Sequence, residues 1–321
     1  MGSFGMAGDR TWDMAAPKFS VVIPLHNRAE AIETCVQSVL NQTCQDFEIV
    51  VVDDGSTDGG AEVVEAIGDP RVRCLRQVNR GSNAARNRGI DAARGRFVAL
   101  LDSDDQFFPR HLERAAAILD TAPEAMVFAR VVVDRGDGRY FMKPPRGPRP
   151  GEEICEYLFC DRGFTQTSTI VLSAETARRV RFLEWLKCSQ DSDFAVRLAA
   201  AGVPFRIVEE PGAVWSDHYD PRRISSVARH ETPLRWCREY RGLMTERAYH
   251  AFRGWVIAKH LARAGRRREA LRLYATAVRH GCWKPALALR ILAQLTTNEG
   301  GYRRVANLLM PKRESRRGEQ I

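Results

Sequence analysis

The chain has no apolar run long enough to cross a bilayer. Its longer ones, such as Val50 to Val52 and Val98 to Leu101, fall far short of the ~20 residues a membrane-spanning helix needs. Its eight cysteines, at 35, 44, 74, 155, 160, 188, 237 and 282, include no Cys-x-x-Cys and no His/Cys set at zinc spacing, which argues against a zinc module or a dithiol redox centre. The opening MGSFGMAGDRTWDMAAPK has neither a basic start nor an apolar core. Residues 1–17 are therefore expected to be a flexible leader, and the cysteines to be reduced in a cytosolic compartment.

What is present suffices for a full globular core: 321 residues, 44% of them hydrophobic. The net charge of +9 is uneven. From Arg229 onward there are 21 Lys+Arg against 7 Asp+Glu, a balance of +14, so the first 228 residues carry −5. The boundary expected from this shift separates a domain over 18–228 from a basic, helical region over 229–321.

The front half alternates strand and helix. Strands are expected at Phe19 to Ile23, Phe47 to Val52, Val72 to Val78 and Phe97 to Leu101, with helices at Ala29 to Leu40, from about Asp58, and at Ala84 to Ala93. Such βα repeats build a mainly parallel sheet, whose ligands bind outside the carboxyl ends of the strands. Polar clusters fall at those ends: Pro24-Leu25-His26-Asn27, Asp53-Asp54-Gly55-Ser56, Asn79-Arg80-Gly81 and Asp102-Ser103-Asp104-Asp105. Three carboxylates within four residues repel one another unless a cation or strong donors offset them, and an Asp-x-Asp pair can present oxygens to one divalent ion. A solvated turn capping the helix near Pro109 is the plainer alternative.

These segments, VVIPLHNRAEAIETCVQSVLNQTCQDFEIVVVDDGSTD and NRGSNAARNRGIDAARGRFVALLDSDD, resemble the nucleotide-sugar half of family 2 glycosyltransferases, closely over residues 19–125 and more loosely to about 225. His26 stands where tyrosine is more usual. The resemblance implies an α/β GT-A domain, Rossmann-like, with a mainly parallel central sheet and here a C-terminal helical appendage. It further implies a nucleotide-sugar site formed by Pro24, His26, Asn27, Glu30, Asp53, Asp54, Arg86, Asp102 and Ser103. Asp53 or Asp54 can accept a base N–H, and Arg86 lies on the first turns of a helix opened by Gly81. Mn²⁺ or Mg²⁺ suits the oxygen ligands Asp104 and Asp102.

Cys188-Ser189-Gln190-Asp191-Ser192-Asp193 is similar to the family's Glu-Asp segment, with Gln190 in place of the Glu, which implies Asp191 as the general base. Ser189 is the expected N-cap of its helix. The segment Gly212 to Ser225 resembles the one that closes over the diphosphate, implying His218 as a metal contact and Arg222 or Arg223 as phosphate clamps. TPLRW, 232–236, lacks the Gln of the processive signature, which implies single addition. Four helices are expected after Arg247, at Arg247 to Ala264, Arg267 to His280, Pro285 to Leu295 and Tyr302 to Met310. Their arginines suit an anionic membrane surface or a solvated face. Nucleic acid is not expected, since no recognised motif accompanies them.

The resulting expectation is an inverting, metal-dependent transferase. It would use a nucleotide-sugar donor, with UDP favoured, and a saccharide or lipid-linked acceptor, in bacterial exopolysaccharide or surface-polysaccharide synthesis. It would be cytoplasmic, with possible peripheral attachment to the inner membrane face. A sugar-1-phosphate nucleotidyltransferase would need a Gly-rich loop with a following Lys, which is missing. A non-catalytic scaffold with a vestigial nucleotide site is the alternative of a different class.

Overall fold

A computed structural model describes residues 16–136, 138, 140–217 and 231–297. The leader to residue 15, the helix expected at 302–310 and the contacts expected of His218, Arg222 and Arg223 lie outside the described residues. The chain runs β1 (Phe19–Leu25), α1 (Ala29–Leu40), β2 (Phe47–Asp53), α2 (Gly60–Ala66), β3 (Val72–Arg76), α3 (Ser82–Ala92), β4 (Phe97–Leu100), β5 (Gln106–Phe107) and α4 (His111–Leu119). It continues with β6 (Met126–Asp134), β7 (Tyr140–Lys143), α5 (Ile154–Cys160), β8 (Val171–Ser173), α6 (Ala174–Val180), α7 (Gln190–Ala200) and β9 (Phe205–Ser216). Helices α8 (Glu231–Glu239), α9 (Glu246–Phe252), α10 (Ala258–Arg263), α11 (Arg267–Arg279) and α12 (Pro285–Thr296) follow, with a π-helical turn at Arg253–Ile257 joining α9 to α10.

One sheet holds all nine strands in the order β3-β2-β1-β4-β8-β6-β9-β5, with β7 paired to the second half of β6, beyond the β6–β8 pairing at Val127. The first four are parallel, as the apolar runs predict: β1 and β2 are buried along their whole length. The other half is mixed, because β8 enters antiparallel between β4 and β6, and β9 then pairs parallel to β6. Strands β1 to β4, β6 and β9 therefore all end at one edge, and the residues leading into β8 arrive at that same edge. Six strand ends and the segment entering β8 meet there, against the four strand ends anticipated.

Two expectations need correction. Gly212 to Ser216 is the end of β9, not a loop. Glu209, Glu210 and Pro211 break the apolar alternation at the register shift opposite Ala129–Val131, and that bulge hid the strand. Ser189 occupies the N-cap position of α7, but with φ 58° and no side-chain capping bond.

Three apolar layers hold the molecule. One lies under α1, α2 and α4; another, under α3, α6 and α7, covers the opposite face. The third joins α5 and α7 to α8–α12, so the C-terminal helices share a core with the helix that carries Asp191. Trp236, of the TPLRW stretch, is buried in it and donates its indole N–H to Asp193 at 2.7 Å. All eight cysteines are free thiols, and no helix among the described residues is long and apolar enough to cross a membrane.

Candidate active site

The floor of the candidate site is built by backbone geometry at the ends of β1 and β2. Asn27 adopts φ 49°, which asparagine tolerates better than most residues. From there its Oδ1 accepts the Thr57 N–H at 2.8 Å, while its own N–H donates to Ser56 Oγ at 3.0 Å, clamping the β2–α2 loop against β1. Pro24 is buried within β1; His26 and Glu30 are exposed at the rim, with the His26 ring 3.2 Å from Asn79 Nδ2.

The structure separates two carboxylates that the sequence left equivalent. Asp54 is buried and fully engaged: Oδ1 accepts from Gln77 Nε2 and Arg80 N, both at 2.8 Å, and Oδ2 accepts from Gly81 N at 2.7 Å. It shapes the loop that opens α3. Asp53 uses only Oδ1, toward Ser56 N at 3.0 Å, so its second oxygen has no protein donor among the described residues. Asp53 is the carboxylate available to read a base.

Helix α3 begins at Gly81, whose φ of 95° suits glycine and where a Cβ would lie 2.9 Å from Lys187 Nζ. Its polar side chains reach across to the segment before α7. Asn83 Nδ2 donates to Leu183 O and Leu186 O, and Asn87 exchanges bonds with the Phe182 backbone at 2.9 and 2.8 Å. A cavity of about 360 Å³ lies between, bordered by Ser82, Asn83, Lys187 and Gln190. Arg86, also buried, packs over the Phe182 ring and donates to Asp102 Oδ1 at 2.6 Å.

The Asp-Ser-Asp-Asp loop divides its carboxylates. Asp102 and Asp104 keep about a quarter of their side-chain surface exposed and face arginines: Arg86 on the former, Arg28 at 3.6 Å from the latter. Asp105 is buried and structural. Its Oδ2 accepts from Ser168 Oγ at 2.5 Å and Gln166 Nε2 at 3.2 Å, and its Oδ1 from Ser216 N at 3.0 Å. Burial, then the charges of Asp104 and Asp102, raise its pKa well above the usual range. Ser103 is buried beneath the loop. Among the described residues no three His, Cys, Asp or Glu side chains form a complete metal cage. Two partly exposed carboxylates fit instead an ion that takes the rest of its shell from water and a diphosphate, as Mg²⁺ and Mn²⁺ do.

Asp191 lies in the first turn of α7, where the helix dipole favours negative charge. Thr167, in the turn entering β8, donates its hydroxyl to Asp191 Oδ1. Burial raises the Asp191 pKa to about 6, the Thr167 bond opposes that, and the Asp102 charge adds to it against Arg86. A carboxylate ionised near neutrality, yet basic enough to take a proton, is what a general base requires. Asp193, one turn face away, is buried and bound by Arg197 at 2.5 Å and by Trp236, so it holds the helix. Thr167 carried no motif signal in the sequence, and Trp236 stood out only within TPLRW, not as a partner of Asp193: each acts on an aspartate 24 or more positions away.

A parallel nucleotide half, an Asp-x-Asp loop at a strand end and a tuned carboxylate facing it across the same edge define a GT-A sugar transferase. Residues 20–184 match the family described as "Glycosyl transferase family 2". The amylovoran biosynthesis glycosyltransferase AmsB of Erwinia amylovora is 30% identical over 254 residues, 74% of this chain and 83% of that protein. The chain belongs to glycosyltransferase family 2. Among solved structures, S. aureus TarS 1-349 in complex with UDP-GlcNAc shares the fold at TM-score 0.60 and 19% identity, over 91% of each chain. The mannosyltransferase PcManGT of Pyrobaculum calidifontis, in complex with GDP-Man and Mn²⁺, does so at TM-score 0.54 and 21% identity, over 92% of this chain and 86% of that one.

Proposed function

We propose that this glycosyltransferase inverts the donor's anomeric centre, passing a sugar from a UDP-sugar to a saccharide or lipid-linked saccharide during bacterial exopolysaccharide or surface-polysaccharide synthesis. The observation that carries this reading is Asp191, held by Thr167 beside Asp102 and Arg86 with its pKa raised to about 6. Asp53 reads the base, Arg86 and the α3 N-terminus face the nucleotide, and Gln190 lines the cavity next to Asp191. Asp191 removes the proton from the acceptor hydroxyl, whose oxygen attacks C1 of the donor as the C1–O bond to UDP breaks on the opposite face. One displacement inverts the centre. Asp104 and Asp102 would hold Mn²⁺ or Mg²⁺ against the diphosphate, and such an ion offsets charge on the departing nucleotide.

The names of the similar proteins support the setting and the ligand: AmsB is an amylovoran biosynthesis enzyme, TarS is seen with UDP-GlcNAc, and PcManGT with Mn²⁺. Calorimetric titration with UDP, GDP and dTDP, with and without Mn²⁺, tests the donor site. Asp191→Asn should keep nucleotide affinity and lose transfer by ~10²–10⁴-fold. Unchanged transfer in that variant would remove Asp191 as the base, and failure of every nucleotide to bind the folded chain would favour the scaffold alternative.

The basic helices supply the peripheral attachment to the inner membrane face. On α11, exposed Arg268 and Arg272 flank exposed Leu271 and Val278, an arrangement suited to an anionic bilayer surface. Flotation with phosphatidylglycerol vesicles should recover the protein, and phosphatidylcholine vesicles should not; equal recovery would refute the attachment.

A further inference from the structure

Beyond the donor site, the same edge holds a lysine in an aromatic cage. Lys143 closes β7, an outer strand whose Phe141 and Lys143 lie opposite Val133 and Val131 of β6. Those two valines are buried core residues, so Lys143 is on the inward face of the strand. Its side chain runs toward the edge of the sheet where the reactive loops meet. There Nζ sits 5.2 Å from the ring centres of Phe164 and Trp215 and 5.5 Å from that of Phe141. Phe164 stacks on Trp215 at 5.4 Å.

No carboxylate, carbonyl or hydroxyl among the described residues reaches the Lys143 ammonium. Its surroundings are cationic: burial first, then Arg135, Lys259 and Arg162, lower its pKa to about 8, and Asp217 is the acid that opposes them. Arg135 is itself paired with Asp217 at 3.2 Å and packs over Phe141. Three rings and a surplus of positive charge surround one ammonium whose opposing acid, Asp217, is already paired with Arg135. The cage is also joined to the reactive centre. Trp215 precedes Ser216, which donates to Asp105, and Phe164 is two residues before Gln166, which donates to the same carboxylate.

We infer that Lys143 is a binding site for an anionic group, phosphate or carboxylate, carried by the sugar acceptor. This rests on the transferase reading above and adds to it an acceptor class: a saccharide linked through phosphate to its carrier, or an acidic saccharide. A charge-assisted hydrogen bond from the ammonium supplies the counter-ion that the protein withholds, and the rings exclude water around it. An inward charge on an outer strand also discourages edge-to-edge pairing, and a site for an anion must be distinguished from that bare role.

The test uses the full chain saturated with UDP and Mg²⁺ and follows the Trp215 indole N–H resonance, assigned with Trp215→Phe, during titration with inorganic phosphate and with glucuronate. At least one anion should shift it saturably. Affinity should fall by about tenfold or more in Lys143→Gln and return in Lys143→Arg. If Lys143→Gln does not fold, Lys143→Met, apolar among the three rings, replaces it. Tighter phosphate binding would assign a phosphate-linked acceptor, and tighter glucuronate binding an acidic saccharide. No saturable shift with either anion, or equal affinity in the charge-removing variant, overturns the site. UDP titrations of the same samples separate the two readings: intact UDP binding with no anion response refutes the cage alone, whereas absence of UDP binding in the unmodified chain refutes the donor site.

Discussion

Replacing Thr167 by valine removes one hydroxyl from beside Asp191 while keeping the side chain's shape. That hydroxyl donates to Asp191 and lowers its pKa, against the burial and the Asp102 charge that raise it to about 6. A hydrogen bond to a charged group is worth about 1.5–3 kcal/mol, and 1.36 kcal/mol corresponds to one pKa unit, which sets an upward shift of roughly 1 to 2 units. The lower figure is the better expectation, because a protonated carboxyl also bonds to a hydroxyl. With a one-unit shift, the ionised fraction at pH 7 falls from about nine-tenths to about half, and at pH 6 from about half to about one-tenth. Activity should therefore drop less than twofold at pH 7 but about fivefold at pH 6, with the acid limb of the pH–rate profile displaced upward. The shift can be read without a substrate by ¹³C titration of the Asp191 carboxyl, assigned with Asp191→Asn. The sign for stability is opposite to that of an ordinary ion pair. A carboxyl whose folded pKa lies above its unfolded value of 3.8 favours the fold at low pH, and that contribution is lost as pH rises toward 6. An Asp191 pKa near 4 in the unmodified chain, or one that does not move in Thr167→Val, would refute the reasoning.

Other substitutions separate the roles of adjacent residues. Asp54→Asn places an amide against donors that a carboxylate now accepts, so it should cost about 2–4 kcal/mol in urea denaturation. Asp53→Asn keeps the Ser56 bond and should change stability by less than about 1 kcal/mol, while weakening UDP binding about tenfold by calorimetry. The reverse pattern would exchange their roles. Trp236→Phe leaves the ring and removes the N–H that reaches buried Asp193. It should lower stability by about 1–3 kcal/mol, with a reduced urea midpoint and no change in UDP affinity; an unchanged midpoint would show that the C-terminal helices do not depend on that bond.

The donor half was legible because β1, β2 and β4 are short apolar runs buried on both faces, and each run ends in polar residues that have no place in a core. Asp102 and Asp104 stood out for the same reason, and Asp191 through the family resemblance of its segment; all three lie at one edge. The acceptor half was not legible to the same degree. Strand β8 is three residues long, β9 is broken by Pro211 at a bulge, and α5 is a seven-residue helix with no side-chain cap. Nor could local pattern separate Asp53 from Asp54, since what differs is which loop amides turn back toward each, up to 27 positions later. Lys143 opens the Pro/Gly-rich basic stretch KPPRGPRPG, 143–151, in which nothing local marks it as inward-facing, and only the pairing of β7 with β6 shows that it is.

The Asp-Ser-Asp-Asp loop is bracketed by two very unequal strands. Strand β4 is secured on one side by β1, within the first hundred residues, but β5 is two residues long and has only β9 for a partner, with Gln106 opposite Val214. The bond from Ser216 to Asp105 spans 111 positions. During synthesis and folding, the nucleotide floor can assemble from local βα units, whereas the loop beside it acquires its final shape only when the last strand arrives. A chain shortened before residue 205 would keep Asp53, Asp54 and the ends of β1 and β2 and lose the clasp on the carboxylates of the Asp-Ser-Asp-Asp loop. The order of assembly thus leaves the reactive loop open until the acceptor wall that must meet it is in place.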